Sequence, residues 1–181
     1  TVTLFTGTPN IAETGGTTTV TVTLSALSGQ DVTVTLSKNA TSTAIDTTDY
    51  SLSGTAIFIP EGTGSVSVTL SALPDAIDEF PETVVIDIDT VINATELGGL
   101  TGQKKTVIID DDDETPTVTL EVGTDNIVEA DGTTTTVTAK LSAVSGLTVT
   151  VPLTKSGSAN ETGSLIDYTL NSAITIPAGA L

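Results

Sequence analysis

The chain has 181 residues, with 5 basic side chains (all lysine) against 23 aspartates and glutamates, a formal net charge of -18. This charge argues against nucleic acid or an anionic membrane as a partner, since both need a basic surface. His, Cys, Met and Trp are absent, so the commonest general base and the usual ligands of zinc and copper are missing. Carboxylates, hydroxyls and carbonyls remain, and these hard oxygen donors suit cations such as calcium.

Short segments in which apolar residues alternate with Thr or Ser follow one another through residues 1–114. A period of two is typical of β-strands with one buried face. In chain order, strands are predicted at 1–5, 20–24, 32–36, 57–59, 66–70, 84–88 and 107–109. Turns rich in Gly, Ser, Asn and Asp separate them, and no segment has a helical period. About seven strands in this length predict an all-β fold, an immunoglobulin-like antiparallel β-sandwich.

The sequence that opens the chain at Thr1 recurs from Thr117. TVTLFTGTPNIAETGG returns as TVTLEVGTDNIVEADG, and IFIPEG later returns as ITIPAG. A repeat of this length is a domain rather than a solenoid unit. We therefore predict a complete domain at 1–114 and the N-terminal part of a second domain at 115–181, within a longer protein. The second copy is expected to expose apolar strand faces, covered by further residues or by a strand from another chain.

The acidic residues of the first copy are concentrated in three places. Glu13 lies in the turn NIAETGG, four acids lie in PDAIDEFPET at 74–83, and the aspartate run 110–113 follows the last strand. In a Greek-key sandwich these segments can meet at one pole, where converging carboxylates need a cation. Considered alone, the aspartate run has a simpler interpretation as a solvated spacer. Asp87 and Asp89 alternate with apolar residues and are expected to face water.

Five short motifs occur in a fixed order along the first copy. They are IAE at 11–13, DY at 49–50, FIPEG at 58–62, DAIDEFPE at 75–82 and VIIDDD at 107–112. Together they resemble the Calx-beta domain, a module of sodium–calcium exchangers, of an integrin β subunit and of large bacterial surface proteins. The resemblance covers all of the first copy and about the first 65 residues of the second, which keeps Glu129 and the pair Asp167–Tyr168.

The resemblance implies a calcium site built mainly from carboxylates, with the carbonyl of Ile77 as a backbone donor. The carboxylate ligands it implies are Glu13, Asp75, Glu79, Glu82, Asp110, Asp111 and Asp112. Seven carboxylates exceed the need of one ion, since calcium takes 6–8 oxygens, so we expect two or more calcium ions per complete domain. Pro74 and Asn39–Thr41 replace acidic residues of calcium-sensing members, which indicates fewer or weaker ions than a four-ion cluster.

These observations favour a calcium-binding structural repeat of a long extracellular or cell-surface protein, an adhesin, in which calcium stiffens the joints between adjacent repeats. One alternative is a calcium-sensing regulatory module that changes the angle between domains. Another is a module that binds a carbohydrate, a protein or a surface, although aromatic residues make up only 3% of the chain. No activated nucleophile pattern is present, so no enzyme is expected. No apolar run is long enough for membrane insertion.

Overall fold

The computed structural model describes residues 1–99, 102–130, 132–163 and 166–181. All regular structure in these ranges is β, and they contain no helix long and apolar enough to cross a membrane. The chain divides into two compact units. Unit 1 comprises Thr1–Ala76 and Phe80–Asp112, and unit 2 comprises Ile77–Glu79 and Asp113–Leu181.

Unit 1 contains nine strands among its described residues. In chain order they are β1 (Val2–Thr6), β2 (Asn10–Ala12), β3 (Thr17–Leu24), β4 (Val32–Lys38), β5 (Tyr50–Leu52), β6 (Ala56–Ile59), β7 (Ser65–Ala72), β8 (Glu82–Ile92) and β9 (Lys105–Asp110). They form two sheets with the orders β1-β3-β7-β5 and β2-β9-β8-β4-β6. Every pairing is antiparallel except that of β2 with β9. The predicted all-β sandwich is confirmed, with more strands than expected because β2 and β5 are too short to show alternation.

The inward residues of both sheets form one core. On β1, Val2 and Leu4 are fully buried, and on β3 the alternate residues Val20 and Val22 are fully buried as well. Val, Ile and Leu supply nearly all of the remaining core. Burial of each such side chain contributes about 1.5–3 kcal/mol. A core of this kind, and not a disulfide, holds unit 1 together.

Tyr50 and Asp49 form a structural pair at the start of β5. Tyr50 is 2% exposed and belongs to the core. Asp49 Oδ2 accepts a hydrogen bond from the backbone N of Ile45 and so closes the turn that precedes Tyr50. Burial raises the pKa of the Tyr50 phenol above its ordinary value, and the nearby carboxylates of Asp46 and Asp49 raise it further. The DY motif therefore has a structural role in unit 1.

The expectation that Asp87 faces water is wrong, whereas Asp89 is exposed as expected. Asp87 is only 5% exposed, and its Oδ2 accepts a hydrogen bond from Asn39 Nδ2 at 3.2 Å. The reason lies in the segment after β4, which continues to hydrogen-bond along β8, with the backbone N of Asn39 donating to the O of Val85 at 2.8 Å. From this position the side chain of Asn39 contacts Asp87. Asp89 lies at a bulge in β8, opposite Thr35 and Leu36, and is exposed.

Replacing Asp87 by alanine is expected to lower the free energy of unfolding of unit 1 by about 1–3 kcal/mol, because the Asn39 amide loses its buried acceptor. The matched control is Asp89→Ala on the same strand, for which we expect a change below about 0.5 kcal/mol. Urea unfolding monitored through Tyr50, in a Tyr168→Phe background, measures both. Equal effects of the two substitutions would contradict the structural role of Asp87.

Unit 2 contains four strands among its described residues. They are β10 (Val118–Val122), β11 (Val137–Leu141), β12 (Val149–Pro152) and β13 (Ala173–Ile176). They pair antiparallel as β10–β11 and β12–β13. Among these described residues, Ala139, Leu141 and Ile176 form the buried apolar cluster. The described part of unit 2 therefore has a much smaller core than unit 1.

Candidate metal centre

Three strand ends lie at one pole of unit 1. β2 ends at Ala12, β8 begins at Glu82 and β9 ends at Asp110. In the second sheet Ala12 pairs with Asp110, and Glu82 pairs with Ile109. The acids that continue or begin these strands are therefore at the same end of the sheet, although they are far apart in the sequence.

Glu13 connects two of the acidic segments. Its backbone N donates to the backbone O of Asp110 at 2.9 Å, which extends the β2–β9 pairing by one residue. Its Oε1 accepts a hydrogen bond from the backbone N of Asp75 at 2.8 Å. Carboxylate oxygens of Glu13 and Asp75 lie within 4.8 Å of each other. Two negative charges at that distance repel by about 1 kcal/mol in water, so a cation between them would be stabilising.

Neighbours of Glu13 orient the aspartate run. Asn10 Nδ2 donates to Asp110 Oδ2 at 3.3 Å, and Thr14 Oγ1 donates to Asp112 Oδ1 at 3.1 Å. Asp111 is half-buried, and its Oδ1 is shielded from solvent. Asn10 and Thr14 are positioning residues that sequence reasoning missed. Asn and Thr are ordinary turn residues, so nothing in their spacing marked them.

Two glycines close the turn that carries Glu13. Gly15 has a φ of 72°, in the left-handed region that favours glycine. A Cβ on Gly16 would lie 2.0 Å from the backbone O of Ala12. A side chain at position 16 would therefore displace Ala12, and Glu13 with it. The glycines of the IAETGG motif hold the acid where β2 and β9 end.

The structure places six of the eight predicted ligands in unit 1, at or near this pole. These six are Glu13, Asp75, Glu82, Asp110, Asp111 and Asp112. The other two, Ile77 and Glu79, belong to unit 2. The role of all eight as calcium ligands stays a prediction.

The donors at the pole fit a hard cation. The side chains at this pole offer carboxylate and hydroxyl oxygens. The chain has no His or Cys, the residue types that would favour a transition metal. Calcium binds oxygen at 2.3–2.6 Å. One ion can therefore contact carboxylate oxygens of both Glu13 and Asp75, which are within 4.8 Å of each other. The donor chemistry and this spacing both suit calcium.

Solved calcium-binding domains of Calx are similar to this chain. Calcium binding domain CBD12 of CALX1.1 matches with a TM-score of 0.50 and 20% identity, over 99% of this chain and 71% of that one. CBD12 from CALX1.2 matches with a TM-score of 0.49 and 21% identity, over 57% of this chain and only 41% of that one. The apo form of the Calx CBD1 domain matches with a TM-score of 0.48 and 20% identity, over 62% of this chain and 98% of that one.

No protein-family model and no curated protein matches the chain. At 20% identity, the likeness to CBD12 of CALX1.1 shows the fold. The chain therefore has a Calx-beta-like β-sandwich fold, as its sequence motifs indicated.

Proposed function

We propose that this chain is a calcium-binding structural module of the Calx-beta type, a repeat of a long extracellular protein. The observation that carries the proposal is the position of Glu13. Its backbone bonds to Asp110 and its carboxylate bonds to the backbone of Asp75, so acids from three separate segments share one pole. Calcium is the cation whose preferred donors and distances match this arrangement.

The proposed mechanism is neutralisation of repulsion where the chain leaves unit 1. Asp110, Asp111 and Asp112 are the last three residues of unit 1, and Asp113 is the first residue of the second segment of unit 2. A calcium ion held by the aspartate run and Glu13 would fix the backbone of this exit. Without calcium, the adjacent carboxylates repel one another and favour an extended, variable exit. Calcium would thus stiffen the joint between adjacent repeats.

The proposed location is the cell surface or the extracellular space, and an adhesin is the proposed parent protein. Extracellular calcium-binding modules work with dissociation constants of about 10⁻⁴–10⁻³ M. A site of modest affinity would be filled there and empty inside cells. By the resemblance, Asn39–Thr41 replace an acidic residue of calcium-sensing members, and the side chain of Asn39 hydrogen-bonds to Asp87 and Thr41. This arrangement supports a modest-affinity site over a sensor.

Calorimetric titration of the chain with calcium tests the proposal. We expect two or more ions with dissociation constants of about 10 µM or weaker, strong preference over magnesium, and loss of affinity in Glu13→Gln. Asp89→Asn, an exposed acid away from the pole, is the matched control and should bind as the unmodified chain does. Sub-micromolar binding together with a change in small-angle scattering would favour the sensor instead. Extracellular calcium modules bind with dissociation constants up to about 1 mM. Absence of binding at about 10 mM calcium, ten times that value, would therefore rule out both the structural module and the sensor.

A further inference from the structure

A cavity in unit 1 lies at the end of β8 that is remote from the pole carrying Glu13 and Asp110. β8 begins near that pole with Glu82 and ends at Ile92. The cavity has a volume of about 430 Å³, within the range of about 300–1,000 Å³ that is usual for small-molecule sites. It is lined by described residues of unit 1, which include Asp89, Thr90, Val91, Ala94, Thr95 and Glu96.

Glu96 is a buried acid in the lining of this cavity. The residue is only 7% exposed. Its Oε1 accepts a hydrogen bond from the backbone N of Gln103 at 3.1 Å. Its Oε2 is shielded from solvent, and within the described part of the chain it has no hydrogen-bond partner and no ion pair. A buried acceptor of this kind is unfavourable until a donor reaches it, and a positively charged donor stabilises it most.

The backbone around Glu96 is fixed to the first strand. The backbone N of Val2 donates to the O of Thr95 at 2.8 Å, and the backbone N of Leu97 donates to the O of Val2 at 2.9 Å. The side chain of Gln103 also donates to the O of Val2, at 2.9 Å. The residues on both sides of Glu96 and the residue that bonds its Oε1 are therefore all anchored to β1, so the carboxylate is held in place before any ligand binds.

The other lining residues favour an organic cation over a metal ion. Asp89 is the second acid of the lining, and two carboxylates are few for calcium, which takes 6–8 oxygens. Val91 and Ala94 supply an apolar side, and Thr90 and Thr95 supply hydroxyls. A cavity with apolar side chains and a few polar groups suits a ligand that joins a charged group to a hydrocarbon chain.

The remaining oxygen of Glu96 favours an ammonium group over a guanidinium group. A guanidinium binds best as a fork across both oxygens of one carboxylate, but Oε1 of Glu96 is already bonded to Gln103. An ammonium group has three donors, which match Oε2 of Glu96, the carboxylate of Asp89 and one threonine hydroxyl of the lining. The attached hydrocarbon then packs on Val91 and Ala94.

We propose that this cavity binds a primary alkylammonium group, supplied by a free aliphatic amine or by the side chain of a lysine. Glu96 and Asp89 bind the charged nitrogen, and the apolar side of the cavity binds the carbon chain. The net charge of -18 attracts cations to the surface in general, whereas the buried carboxylate of Glu96 provides the specific contact. The site is independent of the proposed calcium site, because the two share no residue.

The test is a titration of the whole chain followed by the NMR shifts of its backbone amides, at about 0.15 M salt to screen general attraction. The probes are n-pentylamine, Nα-acetyl-lysine methylamide and the uncharged analogue n-pentanol. For at least one amine we expect saturable shifts concentrated at Val91 and at residues 94–97, with a dissociation constant of about 1 mM or lower, within reach of so small a ligand. Binding by n-pentylamine alone identifies a free amine as the ligand, and binding by the lysine derivative alone identifies a lysine side chain. Equal binding by n-pentanol, or no binding by either amine at about 10 mM, ten times that constant, would overturn the proposal.

Glu96→Gln separates a binding role from a structural one. The substitution should weaken amine binding by about tenfold or more. It keeps an acceptor for the backbone N of Gln103 and removes a buried charge, so the urea midpoint without amine should stay the same or rise. A lower midpoint with unchanged amine affinity would show a structural role only and overturn the proposal. Glu61→Gln, an exposed acid outside the cavity, is the matched control and should keep its affinity within about twofold. An equal loss in that control would show non-specific attraction instead.

Asp89→Asn provides a second test that does not depend on a buried position, since Asp89 is exposed. It should weaken amine binding by about threefold or more and leave calcium binding unchanged. Glu13→Gln should do the reverse, with amine binding retained and calcium affinity lost. This reciprocal pattern keeps failure of the amine site distinct from failure of the calcium site. Unchanged amine binding in Asp89→Asn would contradict the proposed site.

Discussion

Calcium at about 1 mM is expected to raise the free energy of unfolding of unit 1 by about 2.7 kcal/mol, for a site with a dissociation constant of about 10 µM. The gain arises because the unfolded chain does not hold Glu13, Asp75 and Asp110 together and so binds calcium weakly. Urea unfolding followed through Tyr50 in the Tyr168→Phe background, with calcium or with chelator, measures the difference. For a domain whose total stability is of order 5–15 kcal/mol, this is a large share. Identical midpoints in calcium and chelator would contradict the proposed function.

Substitution of one acid separates calcium binding from general stability. Asp110→Asn keeps the size of the side chain and an acceptor for Asn10 Nδ2 but removes a negative charge. If affinity falls about 100-fold, the gain at 1 mM calcium falls to about 0.4 kcal/mol. In chelator the variant should be as stable as the parent or slightly more stable, because one repulsion has been removed. Asp89→Asn should retain the whole calcium-dependent gain, and a loss in that control would show a non-specific effect of charge.

The fold of unit 1 follows from the sequence wherever alternation extends over several residues. Val20, Val22 and Leu24 mark β3 because every second residue is apolar and buried. β2 has no such signal, since it contains a single buried residue, Ile11, and owes its strand conformation to the pairing with β9. The burial of Asp87 also depends on a distant segment. Alternation along β8 does not reveal that Asn39, which follows β4, contacts Asp87.

The acidic pole could be predicted only in part. Its acids are visible in the sequence, and the order of five motifs indicated which of them converge. The contacts that hold the pole depend on tertiary pairing, since Glu13 meets Asp75 and Asp110 only because β2 lies parallel to β9. The roles of Asn10 and Thr14 follow from the same pairing. The assignment of Ile77 and Glu79 to unit 2 likewise reflects packing and has no counterpart in the local sequence.

The repeat supplies a matched pair of leucines for a test of how burial sets stability. Leu4→Ala is expected to lower the free energy of unfolding of unit 1 by about 2–5 kcal/mol, because it leaves a cavity in a fully buried site. Leu120→Ala, at the same position of the repeat, is expected to cost unit 2 less than about 0.5 kcal/mol, because Leu120 is 51% exposed. Tyr50 reports on unit 1 in a Tyr168→Phe background, and Tyr168 reports on unit 2 in a Tyr50→Phe background.

The losses of unfolding free energy in Leu4→Ala and Leu120→Ala compare how strongly the same position of the repeat is buried in the two units. Both copies carry the same register and the same apolar face, so local strand preference cannot produce a difference between them. Equal losses of stability in the two variants would mean that another surface covers Leu120. A cost that grows with protein concentration would identify that surface as a second copy.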